Sequence, residues 1–500
     1  MSTFTPLLVI DFDGERVGYC YSGPEYVDGI AFQEATFDLG LPSRGIDFMA
    51  TGGGGGGGGG GSSVNVTVSL EKPWSLRQRG VRLQRSEAVL YAWQGETDLA
   101  RAEVLFRGEL TGVSFDHDSN MCDMQIVKPI RSSDVSFPKG IISAETFPDP
   151  LSPGDSVAAD AALGQIYPVI YGECFGVPVL GVGVEGANHK MLVAGHRITS
   201  TSVVLTDKDG TDIGPFGVAE DRDNEGNLYS YIELPVAGND PEEAWTAKEV
   251  TGKPSPGGQP IVGLGDVLLD LWRSYGDTPL EGLDMGRIRE AQPKLNKYAV
   301  SAFFNSRTTG QTLLQIMSSR FASQFPVVFG DVAGRYGWTA LEEPTEPRVA
   351  ATLRYGHNTH TRSEIDVTSS EIVRNRFSAT YKMNGFQGQE VEAFKVNKTN
   401  SGTCAGSDSR WGPSPLEEYS LGDIADSGTV YAVLESIARR LRDVRDEVEY
   451  GNLGVEFLRL PLLSVVSVTD DVVGWSDKLF LLTSVSPQLS GEISAGFISL

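Results

Sequence analysis

Ten residues, Gly164-Gln165-Ile166-Tyr167-Pro168-Val169-Ile170-Tyr171-Gly172-Glu173, leave little freedom in how the chain around them folds. Ile166, Pro168 and Ile170 alternate with Tyr167, Val169 and Tyr171, so an extended backbone here is apolar on both faces, and glycines bound it at either end. Such a strand is buried on both sides. Pro168 donates no ladder hydrogen bond, which predicts a sheet edge covered by another domain or another subunit. The pattern points to assembly rather than to chemistry.

Around this stretch the chain is punctuated too often for long helices. With 59 glycines and 26 prolines in 500 residues, it predicts many turns and short strands, hence a bias towards β-structure. Its length exceeds what one core serves and predicts three to four domains. Residues 1–50 read as strands at Leu7 to Ile10, Arg16 to Tyr21 and Ile30 to Phe37. The ten glycines Gly52 to Gly61 predict a flexible loop spanning about 17 Å. A phosphate cradle would need a helix after it, and Ser62 to Leu70 instead alternates as a strand. Further strands are predicted at Ala88 to Trp93, Glu103 to Phe115 and Met121 to Ile130, the first decorated by Arg77, Arg79, Arg82 and Arg85 beside Trp74. That basic stripe is expected to face solvent or a subunit rather than nucleic acid.

The run Phe147 to Gly154 predicts a domain boundary. Beyond it, Met191 to Ala194, Ser202 to Thr206 and Leu228 to Leu234 read as strands, and Thr251 to Pro260 reads as a linker. The period then becomes helical: Val267, Leu268, Leu271, Trp272 and Tyr275 form one stripe, and Leu313, Leu314, Met317 and Phe321 another. With a strand pair at Phe325 to Gly330 and Arg335 to Trp338 they predict a small α/β unit, closed by Leu341 to Pro347. Val430, Val433, Leu434, Ile437, Ala438 and Leu441 mark a long helix whose C-terminal end carries Arg439, Arg440, Arg442 and Arg445. Strands are predicted after it at Gly454 to Leu460, Leu462 to Val468, Lys478 to Val485 and Ile493 to Ile498. The expected class is mainly β with α+β parts. The expected domains are 1–150, a β-barrel-like unit; 151–255, a β-rich inserted unit; 256–347, the α/β unit; and 348–500, a β unit with the long helix.

Acids outnumber bases 66 to 41, for a net charge of −25. This opposes a tight grip on phosphate backbones, while an acidic wall lets a polyanion pass without sticking. Met1 to Ile10 carries no Lys or Arg and only a four-residue apolar run, which predicts neither a secretion signal nor a membrane span. Cys20, Cys122, Cys174 and Cys404 form no C-x-x-C pair and are expected to be buried thiols.

Several motifs resemble catalytic or metal sites. Ile10-Asp11-Phe12-Asp13-Gly14 and Asp207-Lys208-Asp209-Gly210-Thr211 match the D-x-D loop of phosphatases, but turn and strand residues follow both, so Asp-Gly hairpin turns are expected. Asp221, Asp223, Glu225 and Gly226 echo a calcium loop whose twelfth position falls on Ile232, the carboxylate arriving late at Glu233. Gly402-Thr403-Cys404-Ala405-Gly406 has the form of a nucleophile elbow without strand or helix around it, and is read as a loop. His357 and His360, near Glu364 and Asp366, diverge if extended. His117, His189 and His196 have no patterned partner. No catalytic residue, metal ligand or cofactor site is predicted.

Taken together, Gln165 to Gly172, Met191-Leu192-Val193-Ala194-Gly195-His196, the hairpin-rich stretch before 251–260, the helix pair with Phe325 to Trp338, and Lys478 to Ser486 after the Arg-rich helix resemble the tail hub (baseplate hub) proteins of tailed bacteriophages and gene transfer agents. The likeness in layout covers most of residues 80–500. It departs at Leu460-Pro461-Leu462-Leu463-Ser464, where family members often carry an L-x-P-G-D turn. The resemblance implies a homotrimeric ring of tube-like β-barrel domains at the tail tip of a virion assembled in the host cytoplasm. It implies contacts with the tail tube or distal tail protein, the tape measure protein and tip or fibre proteins, and a lumen through which DNA passes without specific binding. A rival reading is a trimeric host-binding adhesin, which a surface aromatic cluster in residues 164–250 would favour.

Overall fold

The computed structural model of the chain describes residues 4–37, 44–45, 49, 63–127, 137, 140–143, 145–147, 162–185, 187–236, 239, 244–276, 283–306, 313–332, 335–344, 346–385, 387–488 and 490–500. The ten-glycine run, Leu314 as a stripe member and most of the expected boundary at 147–154 lie outside the residues or side chains described. Among the described residues strand accounts for 47% and helix for 18%, so the class is mainly β with barrel-forming sheets, as composition and punctuation implied.

The first sheet contains β1 (Thr5–Phe12), β2 (Glu15–Cys20), β3 (Tyr26–Val27), β4 (Ile30–Phe37), β6 (Ser63–Ser69), β7 (Glu87–Trp93), β8 (Glu103–Asp116) and β9 (Met121–Val127); β5 (Arg44–Gly45) instead joins a C-terminal sheet. The order β2-β1-β7-β8-β9-β6-β4 is closed by parallel pairing of β2 with β4, and β3 continues from β4. Closure removes the free edges that an open sheet would present. Alternation is clean along β6, where Val64, Val66 and Val68 point inwards. Helix α1 (Glu71–Gln78) follows β6 and buries Pro73 and Leu76. Arg77 and Arg79 therefore lie on or beside a helix and Arg82 and Arg85 on the turn behind it, not on the strand expected there. The 71–78 segment lacks a strong stripe, so periodicity could not announce it.

The second barrel uses β11 (Glu173–Glu185), β12 (Asn188–Ala194), β13 (Ser202–Thr206), β14 (Asp212–Arg222), β15 (Leu228–Pro235) and β16 (Trp245–Thr251), in the order β12-β15-β14-β13-β16-β11 and closed by β11 against β12. Between the barrels sits β10 (Val169–Tyr171), paired antiparallel to β17 (Ala302–Phe304). The expected two-sided strand is real but short, and its covering comes from this same chain. Val169 and Tyr171 enter the large core shared with the helical unit, whereas Ile170 enters the core of the second barrel.

The helical unit comprises α2 (Leu264–Tyr275), α3 (Met285–Leu295) and α4 (Leu313–Phe321) with the hairpin β18 (Val327–Val332) and β19 (Arg335–Ala340). Sequence reading missed α3, whose Asp284 accepts the Arg287 N–H at 3.1 Å as its N-cap and whose apolar positions are few. The expected linker at 251–260 is a tight turn: Ser255 N–H donates to Gln259 C=O at 2.7 Å and Ile261 N–H to Lys253 C=O at 2.9 Å.

The C-terminal part builds a sheet from β20 (Val349–Arg354), β21 (Thr361–Arg362), β22 (Asp366–Val367), β26 (Asp446–Gly451), β27 (Val465–Asp470), β28 (Trp475–Pro487) and β29 (Ile493–Ser499). Three further strands, β23 (Phe377–Asn384), β24 (Gln389–Val396) and β25 (Glu417–Leu421), extend the second barrel's sheet through β11. The long helix is α6 (Ser427–Leu441), capped by Asp426 on the Thr429 N–H at 2.8 Å. Two expectations are corrected. Residues 402–406 are no loop but the start of α5 (Gly402–Trp411), because Ser401 caps the Cys404 N–H at 3.1 Å and Cys404 and Ser407 are buried. Residues 454–460 are no strand but contain the single turn α7 (Glu456–Arg459), where Phe457 N–H reaches back to Gly454 C=O at 3.1 Å.

Gly172, at φ +68°, ends β10, and a Cβ there would collide with the Val300 carbonyl oxygen. Gly210, at φ +84°, has open space around it. Gly172→Ala is therefore expected to destabilise the protein by roughly 3 kcal/mol or more, and Gly210→Ala by about 1 kcal/mol. Urea unfolding of both variants measures the difference, and equal losses would remove the packing argument.

Candidate functional site

The most fully built polar constellation surrounds β10. His196 is buried at the end of β12, with Nε2 accepting the Ile170 N–H at 2.9 Å and Nδ1 lying 2.7 Å from the Arg197 carbonyl. A carbonyl only accepts, so the proton of the neutral ring is on Nδ1. Burial depresses its pKa to about 4. Ser230 Oγ–H holds the His196 carbonyl at 2.8 Å. With both ring nitrogens engaged by backbone, this imidazole has no lone pair to offer a substrate.

On the other side of β10, Tyr171 O–H donates to Asp270 Oδ2 at 2.5 Å, and the Lys253 ammonium reaches the same oxygen at 2.7 Å and Ser274 Oγ at 2.8 Å. Burial pushes the Tyr171 phenol well above its ordinary range, so it remains a donor. Nearby, Arg320 on α4 grips Asp423 bidentately, Nε to Oδ2 at 2.7 Å and Nη2 to Oδ1 at 2.6 Å. Gln324 adds a bond to Asp423 at 2.8 Å, and Ser301 N–H donates to the Asp423 carbonyl at 2.7 Å. The pair is geometrically specific, with Asp423 buried and Arg320 half-buried, and deleting Arg320 leaves a buried carboxylate without its counter-charge. These groups tie elements together and leave no nucleophile beside a base.

The tempting motifs fall elsewhere and apart from one another. Asp11 accepts the Gly14 N–H at 2.6 Å in the β1–β2 hairpin turn, and Asp207 accepts the Asp209 and Thr211 N–H groups at 2.9 and 2.8 Å in the β13–β14 turn. Asp223 is buried, receiving the Glu225 and Asn227 N–H groups at 2.9 and 2.8 Å and the Tyr167 hydroxyl at 2.6 Å, while Asp221 pairs with Lys190 at 2.9 Å. Both carboxylates serve the turn and the barrel wall. Cys404 is a buried thiol whose pKa burial raises, the opposite of an activated nucleophile. Cys20, Cys122 and Cys174 are likewise free and buried, on β2, β9 and β11. His357 and His360 lie exposed on the turn after β20, while His117 packs edge-on against Trp74 at 4.5 Å.

A cleft of about 580 Å³ that periodicity did not signal opens between α3, the 342–346 segment and α6. Its walls alternate in charge: Lys297 pairs with Glu342 at 2.7 Å, and Arg439 with Glu435 on α6 at 3.5 Å. Glu343 of the lining is shared by Arg442 and Arg445, which follow α6 and lie about a hundred residues further along the chain, at 2.8 and 3.2 Å. Among the described residues no helix is long and apolar enough to cross a membrane.

No family model and no curated protein matches this chain. Among solved structures it is similar to the 43 kDa tail protein of prophage MuSo2 from Shewanella oneidensis, at 10% identity and TM-score 0.40 over 99% of this chain and 98% of that one. It is similar also to a tail protein from Neisseria meningitidis MC58, at 7% identity and TM-score 0.40 over 99% and 96%. A chain of a native gene transfer agent virion matches at 15% identity and TM-score 0.20, over 52% of this chain and 80% of that one. At these TM-scores the likenesses do not assign a common fold.

Histidine in an unfolded chain titrates near 6.5, and His196 in the fold near 4, so between those values the unfolded chain binds the extra proton. The stability this contributes is complete above about pH 6.5 and is lost as pH falls to about 4, amounting to roughly 3 kcal/mol. Urea midpoints from pH 7 to pH 4 are expected to fall more steeply for the wild type than for His196→Gln. Parallel slopes would show that Ile170 does not depend on the neutral ring.

Proposed function

We propose that this chain is a structural virion protein that forms a trimeric hub at the tail tip of a tailed bacteriophage or gene transfer agent. In this reading it joins the tail tube or distal tail ring to tip or fibre proteins and leaves a lumen for the tape measure protein and DNA. The observation that carries it is the pair of closed β-barrels, with the side chains of β10 divided between the large core and the core of the second barrel, an architecture suited to bearing load between neighbours. The residue-level resemblance to hub proteins supplies the rest. Threefold closure rests on that resemblance alone, since β10 is covered within the chain.

The adhesin reading lacks the surface aromatic cluster that would favour it. In residues 164–250, Tyr167, Tyr171, Tyr229, Tyr231 and Trp245 are buried, and Phe175 and Phe216 are half-buried. An enzymatic role finds no support in side chains whose donors and acceptors are already engaged by turns and backbone. The excess of acids favours an acidic or neutral pore wall, because basic groups lining a pore would each hold phosphate, and only groups within about 8 Å of the lumen act at physiological salt.

Imaging of particles carrying a labelled copy is expected to show threefold density at the tail tip. Label elsewhere, or a twofold or sixfold ring, would refute the reading. Asp11→Asn and Asp209→Asn are expected to assemble and infect like the wild type, and a hydrolytic activity lost in either would reopen the enzymatic reading.

A further inference from the structure

Five of the chain's 41 lysines and arginines fall between residues 72 and 85, where Glu71 at the border is the nearest acid in sequence. Glu15 on β2 takes two of them, Lys72 at 2.5 Å and Arg79 at 2.8 Å. Arg77, Arg82 and Arg85 are exposed and make no ion pair among the described residues. Arg77 lies 5.6 Å from the Trp74 ring and 5.0 Å from the Phe115 ring, and Trp74 stands edge-on to Phe115 at 5.3 Å and to His117 at 4.5 Å. The guanidinium is thus held over a half-buried aromatic platform, which lowers the entropy lost when a partner engages it. Arg85 has φ +65°, and its N–H is bonded to the Leu110 carbonyl at 2.7 Å, so the turn behind the helix is held in one shape.

The surroundings decide what such a patch takes. Arg82 and Arg85 share a shallow depression with Asp11, Asp13 and Glu87, and Glu15 lies beside α1. Interspersed carboxylates repel a phosphate backbone, whereas a protein surface can match both signs. Two copies of a chain with net charge −25 repel on average, and a cluster of three exposed arginines outside any ion pair among the described residues is a place where one copy can attract another. We propose that the Arg77–Trp74 platform with Arg82 and Arg85 is a docking surface for an acidic face of a second copy of this chain. The contact is heterologous, patch to different face, and closes into a ring when the rotation between copies is a whole fraction of a turn. It rests on the oligomeric part of the reading above and adds the surface responsible.

The test uses the purified full chain with p-benzoyl-phenylalanine placed at Gln78, beside Arg77. Irradiation is expected to join two copies, and R77E/R82E/R85E to cut the crosslinked yield at least about tenfold, as is a rise in salt from about 0.05 to 0.5 M. Circular dichroism and Tm verify that the triple variant folds; if it does not, R77A is scored instead. Absence of copy-to-copy crosslinks, a yield insensitive to charge reversal, or crosslinking to added single-stranded DNA in their place overturns the proposal. Particles with a threefold tip whose Gln78 probe crosslinks only to other proteins defeat this surface and leave the hub reading standing. Charge-sensitive crosslinking in a chain that is absent from tail tips does the reverse.

Discussion

A β-strand sends successive side chains to opposite faces, and the fold depends on this at residues 169–171. Val169 and Tyr171 pack into the core that runs through the first barrel, the helices and the C-terminal sheet, while Ile170 packs into the second barrel. Three residues thus belong to two cores at once. Their backbone is equally shared: Ile170 N–H goes to His196, Lys253 N–H comes to the Ile170 carbonyl at 2.9 Å, and Gly172 N–H meets Ile261 at 3.2 Å. A buried segment whose polar groups are satisfied by β17, His196 and the 253–261 turn holds those elements in one arrangement.

The ionic groups follow the same logic. Cations with buried or half-buried side chains meet acids distant in sequence: Arg320 with Asp423, Arg445 with Glu343, Arg362 with Asp470. Such pairs add specificity of arrangement more than net stability. They also draw part of a scarce supply of positive charge inwards, which leaves the outer surface acidic and makes the exposed arginines behind α1 stand out. An excess of acids of this size disfavours collapse onto polyanions.

Much of the architecture was legible because it is written in local periods. The alternation in β6, the Asp-Gly turns at Asp13–Gly14 and Asp209–Gly210, and the stripes of α2 and α6 each declare themselves within a dozen residues. Helices α1, α3 and α5 did not. Their apolar positions are few and Ser, Gly and Pro dilute their propensity; α3 and α5 are held by the caps Asp284 and Ser401, and α1, which has no side-chain cap, by burial of Pro73 and Leu76. The 251–260 segment misled for a related reason: its Gly and Pro content suits a flexible linker, but Lys253 is anchored by Asp270 on the following helix.

From residues alone one could know that 166–171 must be covered on both faces, since exposing Val169, Ile170 and Tyr171 to water would cost more than ordering them. One could not know what covers them. Sequence patterns report a side chain's direction from its own backbone, not which distant element meets it there, so another subunit and another part of the chain were equal solutions. The fold chose the latter by bringing Ala302–Phe304 alongside and seating His196 beneath, and that choice depends on contacts between residues 26 to more than 130 positions apart.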